Sequence, residues 1–163
     1  IRQIANHGQT VRYHHDNIGV NSRLDSLQAA VLRIKLEHLN DYTAARQFAA
    51  KYYDEAFKNE TALLIPKRDP KSSHVFHQYT LRTRGVDRNE MQIFLAAKNI
   101  PSMIYYPIPV HRQKAYMDER YDAVDFSNTD ALCESVISLP MQTELSEDQL
   151  EYIVNTVKEF LNK

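Results

Sequence analysis

The sequence predicts a small α+β fold, in which a mostly antiparallel three-stranded sheet packs against long helices. Apolar residues recur at helical spacing in several separated stretches, and short runs of β-forming residues lie between them. Strands and helices interspersed in this order are typical of an α+β domain. The 163 residues are 43% hydrophobic and 25% charged, as expected for one globular domain with its own core.

The N-terminal part is predicted to hold an irregular loop followed by long helices. Residues 1–21 show neither helical nor strand periodicity. A long amphipathic helix is predicted to begin near Arg23, because apolar residues then recur at helical spacing behind Ser22 and Asp25, which resemble a capping box. Asn40-Asp41 predict a break or a new N-cap, after which the helical pattern continues to about Phe57, so this region holds two long helices or one bent helix.

Strands and further helices alternate in the remainder. β-forming residues predict three strands, at residues 74–82, 102–105 and 136–139. Residue types that cap helix N-termini predict three further helices, beginning at Asp87, Ser127 and Ser146. Ser146 and Gln149 form a Ser-x-x-Gln capping box ahead of a terminal amphipathic helix.

The composition disfavours several classes of function. A formal net charge of -1 gives no broad positive field, so association with nucleic acid or an anionic membrane is not expected. No apolar run approaches the roughly 20 residues that span a bilayer. The single cysteine, Cys133, cannot form an intrachain disulfide and fits a reducing cytoplasm. His14-His15 and the pair His74 and His77 are interpreted as solvated or strand residues, so no metal site is predicted.

Asn21 and Arg23 form the first candidate binding site. Both precede the predicted helix, where exposed backbone N–H groups and the positive end of the helix dipole favour anions. Asn21 can donate its amide, and the Arg23 guanidinium can bind a phosphate or carboxylate through two hydrogen bonds. Helix capping by Asn21 and a solvent-exposed Arg23 explain the same pattern equally well.

Tyr105 and Tyr106 form the second candidate site. They open the segment Tyr105-Tyr106-Pro107-Ile108-Pro109-Val110-His111, in which prolines stiffen a turn that carries two phenols and an imidazole. Aromatic rings with polar tips suit contact with a sugar or a nucleotide. Core or interface tyrosines are the alternative interpretation of this cluster.

Several blocks of the sequence resemble one known family. They are Asn6-His7-Gly8, Gly19-Val20-Asn21-Ser22-Arg23-Leu24-Asp25-Ser26-Leu27-Gln28-Ala29-Ala30, His77-Gln78-Tyr79, Tyr106-Pro107-Ile108-Pro109 and Ser138-Leu139-Pro140-Met141. In this order they resemble the C-terminal portion of the DegT/DnrJ/StrS sugar aminotransferases, across essentially the whole chain. The resemblance is greatest to enzymes that aminate a UDP-linked 3-keto N-acetylhexosamine uronic acid in lipopolysaccharide O-antigen synthesis.

The resemblance implies the small C-terminal domain of a fold-type-I enzyme that depends on pyridoxal 5'-phosphate (PLP). Its expected divisions are an active-site loop at residues 1–22, long helices at 23–58 and a sheet subdomain at 74–163. The large domain, which carries the Schiff-base lysine, is expected upstream, so no catalytic residue is assigned here. We therefore expect the chain alone to be inactive.

The resemblance also implies roles for the candidate residues. Asn21 matches an asparagine that reaches the cofactor phosphate across a homodimer with shared active sites, and Arg23 matches an arginine that contacts the nucleotide-sugar. Tyr106 matches a tyrosine of a substrate-contacting turn. Tyr105 stands where close relatives have histidine, and Gln142-Thr143 replaces a common His-Pro pair. A phenol cannot carry the positive charge of an imidazolium.

The implied reaction is transamination from an amino acid, with glutamate the expected donor, to a keto UDP-sugar. Two alternatives stay open. Some members of the family use PLP to dehydrate sugars and have histidine in place of the Schiff-base lysine. The chain could also be a binding or assembly module without catalysis.

Overall fold

The computed structural model describes residues 1–163, and the chain divides into an N-terminal unit, Ile1–Asn40, and a C-terminal unit, Asp41–Lys163. The α-helices are α1 Arg2–Ala5, α2 Ser26–Glu37, α3 Leu39–Phe57, α4 Arg88–Ala97, α5 Ser127–Ser135 and α6 Glu147–Leu161. The strands are β1 Gln9–Val11, β2 His14–His15, β3 Leu63–Leu64, β4 Tyr79–Thr83 and β5 Val136–Leu139. The predicted α+β class is confirmed. None of the helices has the combination of length and apolar composition needed to cross a membrane.

The first 21 residues are more regular than the predicted irregular loop. They contain the single-turn helix α1 and an antiparallel pair, β1 and β2, whose register shifts between Gln9 and Val11. The His15 ring adds a contact of 2.8 Å between its Nδ1 and the carbonyl oxygen of His7. Elements of two to four residues are too short to produce a periodic sequence pattern, which is why the prediction was wrong here.

Helix α2 begins at Ser26, three residues later than the predicted start near Arg23. The Asp25 carboxylate accepts the N–H of Leu27 at 2.7 Å and caps the helix. Ser22 lies four residues before the first helical residue, too far to cap the helix, and its backbone N–H is bonded to the carbonyl of Ala5 at 2.9 Å. The predicted Ser22 capping box is therefore wrong, and the aspartate that was expected to complete it is the cap itself.

The predicted break between the long helices is confirmed but lies earlier. Helix α2 ends at Glu37, His38 interrupts the helical backbone, and α3 begins at Leu39. Asn40 and Asp41 lie in the first turn of α3, where Asp41 places a negative charge at the positive end of the helix dipole.

A three-stranded antiparallel sheet in the order β3-β4-β5 forms the centre of the C-terminal unit. In its register Leu63 lies opposite Thr83, and Tyr79 lies opposite Leu139. Strand β3 was not predicted, because two residues carry no detectable alternation. The predicted strand at 102–105 is reduced to one bridge between Met103 and Ser138.

The predicted strand at 74–82 is confirmed only from Tyr79 onward. Phe76 has a φ of 47°, in the left-handed region, which interrupts extended backbone. Arg46 binds the carbonyl oxygens of Phe76, His77 and Met141, each at 3.2 Å. Two carbonyls of this segment, those of Phe76 and His77, are therefore satisfied by a side chain from α3 and not by a strand partner.

The core of the C-terminal unit lies between this sheet and three helices, α3, α4 and α6. Its largest fully buried side chains are Tyr53, Tyr79, Phe57, Leu81, Met91, Leu95, Ile137, Leu150 and Val157. The two tyrosines keep their hydroxyls bonded, Tyr53 to the Pro140 carbonyl at 3.0 Å and Tyr79 to Asp54 at 2.7 Å. Burial raises the pKa of both phenols, so both hydroxyls keep the protons that they donate in these hydrogen bonds.

Two of the predicted helix starts differ in how they are capped. At Ser146 the predicted capping box is present, with the hydroxyl accepting the Gln149 N–H and the Gln149 side chain accepting the Ser146 N–H. Ser127 is not the cap of α5, since Phe126 occupies that position and the Asp125 carboxylate accepts the Ser127 N–H at 2.9 Å. The prediction for Ser127 was therefore wrong. The predicted cap Asp87 is confirmed.

This difference gives a matched pair of serine variants. Ser146→Ala removes a cap and leaves a backbone N–H of the first turn unpaired, so we expect a loss of about 1 kcal/mol in the free energy of unfolding. Ser127→Ala removes no cap and should change the stability by less than about 0.5 kcal/mol. Urea unfolding followed by far-UV circular dichroism measures both; equal losses would contradict the assignment.

Candidate functional site

Two glycines shape the loop that carries Asn21 and Arg23. A Cβ on Gly19 would lie 2.1 Å from the backbone nitrogen of Gly8, and a Cβ on Gly8 would lie 1.7 Å from the carbonyl oxygen of Asn17. Gly8 also has a φ of +74°. The two backbone segments can approach this closely only because both residues lack a side chain.

Backbone hydrogen bonds tie the same two segments together. His7 donates to Val20 at 3.0 Å, and Val20 donates to Ile4 at 2.8 Å. An isolated antiparallel bridge then pairs Asn6 with Asn21. The close glycine contact therefore brings together two asparagines that lie fifteen positions apart in the sequence.

Arg23 is held between these asparagines. Its Nε donates to Oδ1 of Asn21 at 3.1 Å, and its Nη2 donates to Oδ1 of Asn6 at 3.1 Å. Both amides turn their oxygens toward the guanidinium, so the NH₂ group of Asn21 is the donor that Asn21 can offer to a ligand. Arg23 and Asn21, predicted from sequence, are thus brought together, while the part played by Asn6 was missed.

Arg23 lines a cavity suited to an anion. This cavity, of about 490 Å³, is lined by Arg2, Gln3, Ala5, Asn6, Gln9, Thr10, Ser22 and Arg23. It has two guanidinium groups and several neutral polar groups but no carboxylate, which is the donor set that a phosphate prefers. Arg2 was not predicted, because nothing in its sequence context marks it.

The predicted location of the anion site at a helix N-terminus is wrong. The N-terminus of α2 is occupied by the Asp25 carboxylate, which already accepts the Leu27 N–H and would repel a second anion. The arginine-lined cavity lies instead against the loop, where Arg23 is exposed. The prediction that Asn21 and Arg23 bind an anion therefore rests on side-chain charge and hydrogen bonding, and not on the helix dipole.

Tyr105 and Tyr106 lie in the C-terminal unit, in the turn that follows the Met103 bridge. Their rings meet edge to face with centroids 5.8 Å apart, and the peptide bond between them is cis. Tyr106 is 72% exposed and Tyr105 is 37% exposed. This exposure excludes the alternative that they are core residues, whereas the alternative that they are interface residues stays open.

Two cavities adjoin this turn within the C-terminal unit. Tyr105 borders both, and Tyr106 borders the smaller, of about 480 Å³, together with Ile108, Leu132 and Cys133. The larger, of about 620 Å³, combines apolar walls with polar groups such as Gln78 and Tyr152. Apolar walls with a few polar groups are typical of small-molecule sites. No group of three or more His, Cys, Asp or Glu side chains is arranged to hold a metal ion.

Comparison with known structures defines the class of protein to which this fold belongs. The chain superposes with a TM-score of 0.87 and 32% identity on a crystal structure of Streptomyces venezuelae DesV in complex with a ketimine intermediate, covering 99% of this chain and 43% of that one. An aminotransferase from Brucella abortus gives a TM-score of 0.84 at 33% identity, covering 99% of this chain and 43% of that one. The predicted fold, part of a fold-type-I PLP-dependent aminotransferase, is confirmed.

The sequence profile of the DegT/DnrJ/EryC1/StrS aminotransferase family matches residues 1–158, and the chain belongs to this family. A UDP-2-acetamido-2-deoxy-3-oxo-D-glucuronate aminotransferase from Pseudomonas aeruginosa is 40% identical over 94% of this chain and 41% of its own length. A UDP-N-acetyl-3-dehydro-alpha-D-glucosamine 3-aminotransferase from Acidithiobacillus ferrooxidans is 38% identical over 99% of this chain and 42% of its own length. The chain spans less than half the length of these relatives.

Proposed function

We propose that this chain is the C-terminal part of a PLP-dependent aminotransferase that transfers an amino group from glutamate to a keto UDP-sugar in the synthesis of lipopolysaccharide O-antigen. Its family and the substrates named for its relatives support this proposal. The complete enzyme, meaning this chain joined to the remaining part that its relatives possess, would carry the Schiff-base lysine outside residues 1–163.

The observation that carries the proposal is the carboxylate-free cavity with Arg2 and Arg23 at its wall, next to the Asn21 amide. A cofactor phosphate and a nucleotide diphosphate are both anions, and this donor set suits either. We assign the Asn21 NH₂ group to the PLP phosphate and the Arg23 guanidinium to the nucleotide-sugar. When bound, PLP supplies the electron sink for transamination, and the chain supplies phosphate anchoring and orientation.

The remaining assignments are part of the same proposal. Residues 1–22 would form a loop at the active site, residues 23–58 the long helices and residues 74–163 a sheet subdomain. Tyr105 and Tyr106 would contact the sugar through their hydroxyls. The enzyme would act in the cytoplasm as a homodimer with shared sites, and the exposed Leu27, Val31 and Ile34 on α2 offer apolar surface for contacts of this kind.

Two substitutions in the complete enzyme test the site. Asn21→Ala removes the amide that we assign to the phosphate, so the dissociation constant of PLP should rise about tenfold. Arg23→Ala should raise the KM for the UDP-sugar about 10- to 100-fold, as expected for the loss of a charged hydrogen bond. Equilibrium dialysis of PLP and steady-state kinetics measure the two effects.

Matched controls exist on the exposed surface. Asn59→Ala and Arg120→Ala change the same residue types at exposed positions, and the Arg120 side chain is 80% exposed. Both controls should leave PLP retention and KM within about twofold of the unchanged enzyme, as for surface substitutions away from a site. If Asn21→Ala and Arg23→Ala behave like these controls, the assignment of the site is wrong.

A further inference from the structure

We propose that Asp130 positions the Tyr105–Tyr106 turn for sugar binding, by holding His111 and Arg112 against helix α5. This inference rests on the proposed function, because it assumes that the turn contacts the sugar. Asp130 itself touches neither substrate nor cofactor in this scheme. It is a positioning residue, and its effect on binding would pass through the turn.

The turn is anchored firmly on its N-terminal side. Met103 and Ser138 exchange two backbone hydrogen bonds, of 3.1 and 2.7 Å, which fix the start of the turn to strand β5. The Gln92 side chain from α4 adds a hydrogen bond of 3.1 Å to the carbonyl of Ser102. The chain therefore leaves the sheet in a defined direction two residues before Tyr105.

The C-terminal side depends on side chains from α5 and the residue before it. The His111 ring stacks on the Phe126 ring, with centroids 4.1 Å apart and an angle of 14° between the planes. Its Nε2 lies 3.3 Å from Oδ1 of Asp130, and Arg112 pairs with the other oxygen, Oδ2. One carboxylate thus holds two consecutive residues of the short helical turn that follows Pro109.

The Asp130 carboxylate depends on this arrangement. Its Oδ1 is shielded from solvent and forms no hydrogen bond of good geometry, although His111 Nε2 is within ion-pairing distance. A shielded carboxylate oxygen without a partner is unfavourable, so contact with the imidazole is the arrangement that stabilises it. Removing the charge of Asp130 would weaken the contacts that hold both His111 and Arg112.

Loss of the contacts to Asp130 would also displace the two tyrosines, because a short and stiff stretch of backbone connects them to His111. Only Pro107, Ile108, Pro109 and Val110 separate Tyr106 from His111, and the two prolines restrict the backbone between them. Arg112 also donates its backbone N–H to the Pro109 carbonyl at 3.0 Å. Because this stretch of backbone is stiff, a displacement of His111 also displaces the phenols. Their hydroxyls would then no longer lie where the sugar requires them.

Asp130→Asn in the complete enzyme tests the inference, because it keeps the size of the side chain and removes its charge. We expect the KM for the keto UDP-sugar to rise about tenfold, the loss associated with a charged hydrogen bond. The half-reaction with glutamate, which does not use the turn, should change by less than twofold. Hydrogen exchange of the Arg112 and Gln113 amides should become at least tenfold faster.

Glu55→Gln is the matched control, since it removes a carboxylate from the exposed Lys58–Glu55 ion pair on α3. It should alter none of these quantities. An unchanged KM or an unchanged rate of amide exchange in Asp130→Asn would overturn the inference. An equal loss of rate in both half-reactions would also overturn it, because it indicates that the substitution damages the fold as a whole. Failure of the proposed function would appear differently, as an unmodified enzyme that aminates no keto UDP-sugar, while the exchange measurement would still report on the contacts of Asp130.

Discussion

Gly19→Ala should reduce the proposed aminotransferase activity of the complete enzyme at least about 100-fold, the loss expected when binding groups move by about 1 Å. The added Cβ would meet three backbone atoms, the nitrogen of Gly8 at 2.1 Å and the carbonyl carbon of His7 and carbonyl oxygen of Ile4, both at 2.6 Å. Backbone atoms cannot rotate away as a side chain can, so the two segments must separate. Their separation breaks the bridge that holds the asparagines beside Arg23.

Gly85→Ala is the matched control for this prediction. Gly85 also has a positive φ, of +73°, but its Cβ would meet nothing within 4 Å. The variant should lose roughly 1 kcal/mol of stability from backbone strain and keep its activity within about twofold. Activity and PLP retention are measured side by side in the two variants. Equal activities would show that the glycine contact does not support the site.

Phe57→Ala should destabilise the C-terminal unit by about 3–5 kcal/mol, the usual cost of truncating a buried phenylalanine. Phe57 ends helix α3, is only 1% exposed and stacks on Tyr53 with centroids 6.1 Å apart. Truncation would leave a cavity in the core that the sheet and the helices share. Urea unfolding, followed by far-UV circular dichroism, measures the loss.

Phe48→Ala provides the control on the same helix. Phe48 is 49% exposed, so its truncation removes little buried surface and should change the free energy of unfolding by less than about 1 kcal/mol. Similar losses in the two variants would contradict the assignment of the core to the Phe57 face of α3.

Sequence patterns predicted the long elements of the fold well. Helix α6 follows its capping box and buries the predicted apolar residues Leu150, Ile153, Val154 and Val157. Strand β5 lies at the predicted residues 136–139. Helix α6 is long enough for periodicity and capping to act together, whereas β5 was predicted from a short run of mostly apolar β-forming residues ahead of Pro140.

Some of the errors occur where distant residues decide the backbone. Phe76 adopts a left-handed conformation and its carbonyl is bound by Arg46, thirty positions away in the sequence, so an alternating β pattern did not become a strand there. In the site, Asn21 and Arg23 were identified from their motif, whereas Asn6 and Arg2 were missed. The position of Asn6 beside Arg23 depends on the contact between Gly8 and Gly19, which no local pattern reveals.

The central claim, that this chain is part of a PLP-dependent aminotransferase, is tested most directly by the absorbance spectrum of the complete enzyme with PLP. The account predicts a yellow absorbance band that disappears when glutamate is added. Borohydride should also remove the band, and it should attach the cofactor covalently to one lysine outside residues 1–163. Mass spectrometry of the reduced protein identifies that lysine. Absence of the band, or attachment to a lysine within residues 1–163, would contradict the account.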